Sequence, residues 1–308
     1  VMKETGVYVQ KTNPGGGQPI IRGLLGFHNL ILIDGIRLNN SAWRSGPVQY
    51  LNTVDIWDVT RIELTRGPGS VLWGSGAMGG VIQVFTEQPV VPGSAGPYID
   101  PTIGFRYTQA SDGISFHYSL VGGVGPVAVQ TNASIKSFGN ILGGSHVAGF
   151  TFDEEPYASI SEGSGGPQPF TGYDEHDGGG KLAWIPAPGH LLIFNWQRVH
   201  LVDAGRADQL LVRDRVRFYD NLRDLFYVRW DVEAGGFLTW STVASWHHQY
   251  EMVNDLRLDP GWMSWHRQDH TGITVESLGL SSSGNMTFLD ERLELSAGAD
   301  FYLDLVDS

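Results

Sequence analysis

The 308-residue sequence contains no cysteine. Disulfide scaffolds, thiolate metal centres and cysteine nucleophiles are therefore excluded, while the compartment stays open. There is no run of about eighteen apolar residues, so no helix of this chain can cross a bilayer. A membrane barrel is untouched by that absence, because barrel strands alternate and each gives a weak signal. Basic residues are scarce, 20 Lys and Arg against 33 Asp and Glu, for a formal net charge of -13. A nucleic-acid partner needs a basic face and is not expected. The first residues, VMKET, lack a charged stretch followed by an apolar one. If the protein is exported, its signal peptide has been removed or lies outside these residues. Catalytic patterns are also missing. The only serine turn of interest, Gly74-Ser75-Gly76, is preceded by Trp73 and so is not G-x-S-x-G. The chain is not expected to be an enzyme.

What is abundant is aromatic residues and alternation. The chain has 10 Trp, 14 Phe and 11 Tyr, and aromatics gather at membrane interfaces. Leu222, Phe226, Val228, Trp230 and Val232 share one strand face, while Arg223, Tyr227, Arg229, Asp231 and Glu233 share the other. Such period-two patterning implies one apolar environment and one wet one. Nine strands are predicted this way, at 102–109, 113–122, 126–138, 178–186, 189–200, 222–233, 236–250, 270–281 and 291–304. Short and long joins alternate between them, the long ones at 139–177, 201–221 and 251–269, as in outer-membrane barrels with tight turns at one end and long loops at the other. A water-soluble sandwich would also alternate. Phe194, Trp196, Trp240 and Trp246 on the apolar faces weigh against it. Nine strands leave two unpaired edges, which lipid does not tolerate. The rest of the wall is expected from the same or another chain.

Upstream of the strands, residues 61–86 join a glycine-dense turn to a β-branched strand. Residues 74–79 satisfy G-x-G-x-x-G, but a strand follows where a dinucleotide site needs a helix, so that reading is rejected. The stretches QPIIRG at 18–23, LILIDGIR at 30–37 and the element at 59–84 occur in that order. Together they resemble the plug domain of TonB-dependent outer-membrane receptors.

The resemblance implies an all-β membrane protein, with a plug inside a large antiparallel transmembrane β-barrel of about 22 strands, some nine of them present here. On that reading residues 1–88 are the rear of the plug, 89–101 a proline-rich linker and 102–308 the first barrel strands. A TonB box would lie upstream. The implied function is active import of a scarce nutrient, a ferric siderophore or haem. A surface receptor of the same fold without transport is the alternative, and a TonB box would discriminate the two. Implied partners are a TonB-type inner-membrane energy-coupling protein, outer-membrane lipids of a Gram-negative bacterium and the remainder of the barrel. No cofactor is expected.

Trp43, Arg44, Gln49 and Tyr50 follow the Asp34-Gly35 turn, where family plug loops rise to the extracellular mouth, and are the candidate substrate contacts. Arg22 and Arg66 are the candidates for plug–barrel coupling, because family plug arginines pair with carboxylates of the barrel wall. Pairing inside the plug, for example with Glu63, is the competing assignment. Gly23, Asp34, Gly35, Gly67, Pro68, Gly74, Gly79 and Gly80 are read as turn residues. The ten histidines show no convergent set, and the acidic groups at 153–155 and 174–177 are read as a solvated loop, so no metal site is assigned.

Overall fold

Alternating residues beyond position 97 build one continuous wall. The computed structural model describes residues 5–11, 13, 15–43, 50–142, 149–152, 158–161, 167–168, 170–206, 215–259, 264–288 and 293–308. The N-terminal unit holds β1 (Val7–Gln10), β2 (Gln18–Ile21), β3 (Asn29–Ile33), β4 (Ile36–Arg37), β5 (Val59–Arg66), the one-turn helix α1 (Ser70–Trp73) and β6 (Gly80–Thr86). The wall comprises β7 (Tyr98–Thr108), β8 (Gly113–Val124), β9 (Val127–Phe138), β12 (Tyr173–Trp184), β13 (His190–Arg206), β14 (Arg215–Ala234), β15 (Leu238–Asp259), β16 (Ser264–Phe288) and β17 (Leu293–Asp307). Between β9 and β12 a small separate hairpin pairs β10 (Gly149–Phe152) with β11 (Ala158–Ser161).

The wall is a single nine-stranded sheet in sequence order, antiparallel throughout. Each predicted strand has its counterpart in that sheet. Several boundaries move: β13 runs on to Arg206, β14 begins at Arg215, β15 ends at Asp259 and β16 spans Ser264–Phe288, so most of the long joins expected at 201–221 and 251–269 is strand. β7 begins at Tyr98 and contains Pro101, which an edge strand accommodates because no ladder bond is lost on the open side. β12 begins at Tyr173, not at 178, so the acidic group at 174–177 belongs to a strand and not to a loop. No described helix is long and apolar enough to cross a membrane, a statement that does not bear on strands.

The alternation sorts the two faces as the pattern requires. Phe226 and Trp230 are 43% and 47% exposed on the outside, whereas Arg223 and Tyr227 are 2% and 0% exposed on the inside. Over the middle strands the inner face is not wet, because the N-terminal unit covers it, whereas the edge strands β7 and β17 stay largely exposed.

In that unit β1 pairs with β2, and a four-stranded sheet runs β4-β3-β6-β5 with β3 and β6 parallel. β3 reads NLILI and is buried along its length, as a strand covered on both faces must be. One side packs Leu30 and Leu32 on Ala77 and Val81; the other packs Ile31, Ile33, Ile36 and Leu38 on Ala128, Ala183, Ile193, Leu225 and Tyr227 of the wall. Glycine is needed where β5 and β6 meet, because a Cβ at Gly80 would collide with the Thr65 carbonyl and one at Gly79 with the Asn29 side chain.

Candidate functional site

β3 delivers its chain end to the wall. Asp34 and Gly35 turn the backbone with φ of 50° and 87°, and this Asp-Gly dipeptide aims the Asp34 carboxylate at β12, β13 and β14. Oδ1 accepts from the Thr86 amide at 2.9 Å, and Oδ2 from the Thr86 hydroxyl at 2.6 Å. From the wall, Oδ2 accepts from Lys181 Nζ at 3.2 Å and the Tyr227 hydroxyl at 3.1 Å, with Gln197 Nε2 at 3.4 Å. Arg229 donates to the Asp34 carbonyl, and Lys181 donates further to the Thr86 hydroxyl and to the Glu87 carbonyl. Lys181 and Asp34 side chains are each 1% exposed. A buried ion pair persists only where its remaining donors and acceptors are satisfied, and here they are.

A second anchor comes from the loop before β5. Lys136 Nζ lies 2.8 Å from Asp55, 2.7 Å from Glu175 and 2.7 Å from Asp177. The three carboxylates converge closely enough to enclose a cation, and the lysine ammonium is that cation. Asp55 also accepts from the Ser134 hydroxyl at 2.6 Å, while Trp57 stacks on His117 with ring centres 5.2 Å apart. Asp58, one residue on, accepts from Gln130 Nε2 at 3.1 Å. Burial pushes its carboxyl up to about 7 against an ordinary 3.8, although the neighbouring Lys181 and a hydrogen bond to Asn132 pull it down.

Smaller links complete the seam. Arg223 Nε donates to the Thr53 carbonyl at 2.6 Å, and Gln249 Nε2 to the Leu38 carbonyl at 2.9 Å. The Ser41 amide donates to Asp304 at 2.6 Å, and the Ser119 hydroxyl to Glu87 at 3.0 Å. Thr53, Leu38, Ser41 and Glu87 belong to the N-terminal segment and their partners to β14, β15, β17 and β8, so the unit is bonded across the width of the sheet.

The sequence-derived candidates are distributed differently. Trp43 is only 7% exposed and packs with Tyr50 at 4.4 Å between ring centres, inside the core shared with the wall. A large indole gains from such burial, and Trp43 stands here as part of the core that includes Ala128 and Ala183. Arg44 and Gln49 lie outside the described residues. Arg66 donates to the Thr5 carbonyl at 2.7 Å, and Glu63 pairs with Arg61 at 3.1 Å, both on the exposed face of β5. Arg22 is exposed, with its guanidinium beside Gly67, and among the described residues it meets no carboxylate. Among the described residues none of the three is hydrogen-bonded or ion-paired to the nine strands. Asp34, read as a plain turn residue, is instead the best-connected group of the seam. Asp55, Asp58, Lys136, Lys181 and Arg223 were missed. Alternation marks the last three as inward residues, but nothing in the sequence pairs them with residues over 40 positions away.

Residues 1–81 match the family model described as TonB-dependent Receptor Plug Domain. Solved structures share the fold. A ferric enterobactin receptor, PfeA, from Pseudomonas aeruginosa superposes with a TM-score of 0.62 at 20% identity, over 98% of this chain and 45% of that one. The hemophore receptor HasR of Serratia marcescens, solved with its hemophore HasA and heme, gives 0.70 at 15% identity, over 98% and 41%. The copper transporter OprC gives 0.69 at 16% identity, over 98% and 42%. The chain thus spans less than half the length of the structures it matches.

Proposed function

From a chain that carries a TonB-dependent receptor plug docked on the first nine strands of a receptor-type barrel, we propose active import across the outer membrane of a Gram-negative bacterium. The plug closes the barrel, and a TonB-type inner-membrane protein displaces it to let cargo through. The observation that carries this reading is the seam itself: a plug bonded to the inner wall by two buried charge clusters blocks the lumen until work is done on it. Plug, linker and wall are assigned to 1–88, 89–97 and 98–308, the linker expected to reach 101 giving way to β7 at Tyr98. Arg22 and Arg66 remain assigned to the part of the wall that these nine strands do not form, since both are exposed.

For cargo, the reading favours a ferric siderophore or haem. It is supported by two of the solved relatives, whose names state ferric enterobactin and heme. In this chain the contact is assigned to Trp43, Arg44, Gln49 and Tyr50. An arginine between two aromatics pairs with anionic groups and stacks on planar ones. The test is uptake and binding of ferric siderophores and haemin by the completed receptor, with and without its energy-coupling partner. Arg44→Ala is expected to weaken binding at least about fivefold, roughly 1 kcal/mol. Partner-independent binding without uptake would replace the importer by a receptor of the same fold.

A further inference from the structure

The seam holds more acid than base. Asp34, Asp55, Asp58, Glu175 and Asp177 are buried along it, and the buried cations beside them are Lys136, Lys181 and Arg223. Arg229, half-buried, adds its charge at the Asp34 carbonyl. The other ionisable groups near these anchors do not redress the balance. His117 of β8 faces Asp55 through Ser134, Glu87 is bonded to Ser119 of β8, Tyr173 of β12 lies near Glu175, and Arg106 of β7 sits over the outer side of the Trp57 ring at 5.8 Å.

Between the two anchors is a cavity of about 10 Å³, lined by Asp55, Asp58, Asp177, Asn132 and Arg223. That is room for about one water. Asp177 Oδ1 and Arg223 Nη1, both buried at its edge, have no hydrogen-bond partner among the described residues. Ionised carboxylates in such a place, without matching countercharge, cost several kcal/mol, and a proton relieves that cost.

We propose that docking the plug on the wall takes up a proton at this seam, held by Asp58, so that rising pH loosens the plug. The carboxyl is placed for it: Asp58 is 6% exposed, one residue past Trp57 and between the Lys136 and Lys181 clusters. The sign follows from the two states. Undocked, the carboxyl meets water and titrates at the ordinary 3.8; docked, burial holds it at about 7. Between those values the docked form carries more protons, so its stability is greatest at the acid end and falls as pH rises, by up to tenfold in the docking constant per pH unit, levelling off above about 7.

The inference rests on a plug that separates from its wall, as import requires, but not on any cargo. The experiment is therefore urea-induced plug release from the completed protein in detergent, read by tryptophan fluorescence with circular dichroism reporting the wall. The wild-type midpoint is expected to fall from about pH 5 to about pH 7 and then to flatten. Asp58→Asn, an amide that mimics the protonated acid, should lose most of that slope, and Asp58→Glu should keep it. A wild-type midpoint that is flat or rises with pH, or an Asp58→Asn slope equal to wild type, overturns the proposal. Loss of uptake with the slope intact would count against import alone.

Discussion

The two faces of the nine-stranded wall use alternate residues of the same strands for opposite ends. Outward positions on β13 to β15 carry Phe194, Trp196, Phe226, Trp230 and Trp246, all more than a third exposed, whereas inward Lys181, Asn195, Arg223 and His247 are 3% exposed or less. The polar face is thus the drier one. An apolar side chain facing outward needs only an apolar solvent, which lipid supplies on the outer-membrane reading proposed above. A charged one facing inward needs a specific partner, and the plug supplies that.

Breaking the inner face should cost most. Asp34→Ala leaves Lys181 buried without its carboxylate, and plug docking should weaken by about 3–5 kcal/mol, read as a shift in the urea midpoint for plug release. If docking were unchanged, the seam would not hold the plug. The outer face comes next. Trp230→Arg should lower wall stability by about 2–4 kcal/mol if the position is near the bilayer midplane, measured by unfolding in lipid vesicles. Indifference there would mean that this face does not meet lipid. The smallest effect sharpens the contrast: Arg61 pairs with Glu63 where both side chains are more than half exposed. Arg61→Ala should change stability by less than about 1 kcal/mol in the same urea series, and a larger loss would show that β5 is covered by something.

Much of this fold was legible. The nine wall strands followed from period-two alternation, which is a local property of the chain. Their ends were less so, because Tyr98 to Pro101 and Tyr173 to Asp177 look like linker and acidic loop until a neighbouring strand claims their backbone bonds. Gly79 and Gly80, read as turn residues, stand where a Cβ would collide with the Asn29 side chain and the Thr65 carbonyl. The inner face was read only as wet, since a polar residue looks the same in sequence whether water or a buried carboxylate meets it.

The sequence by itself therefore determined the strand order, the sidedness of each strand and the plug motifs, all of which depend on residues within a few positions of one another. Only the tertiary structure decided what the inward charges are for. Asp34 and Lys181 are 147 positions apart and Asp55 and Lys136 are 81 apart, and a single sequence carries no local signal of a pairing that exists only once a docked plug has excluded the water between them.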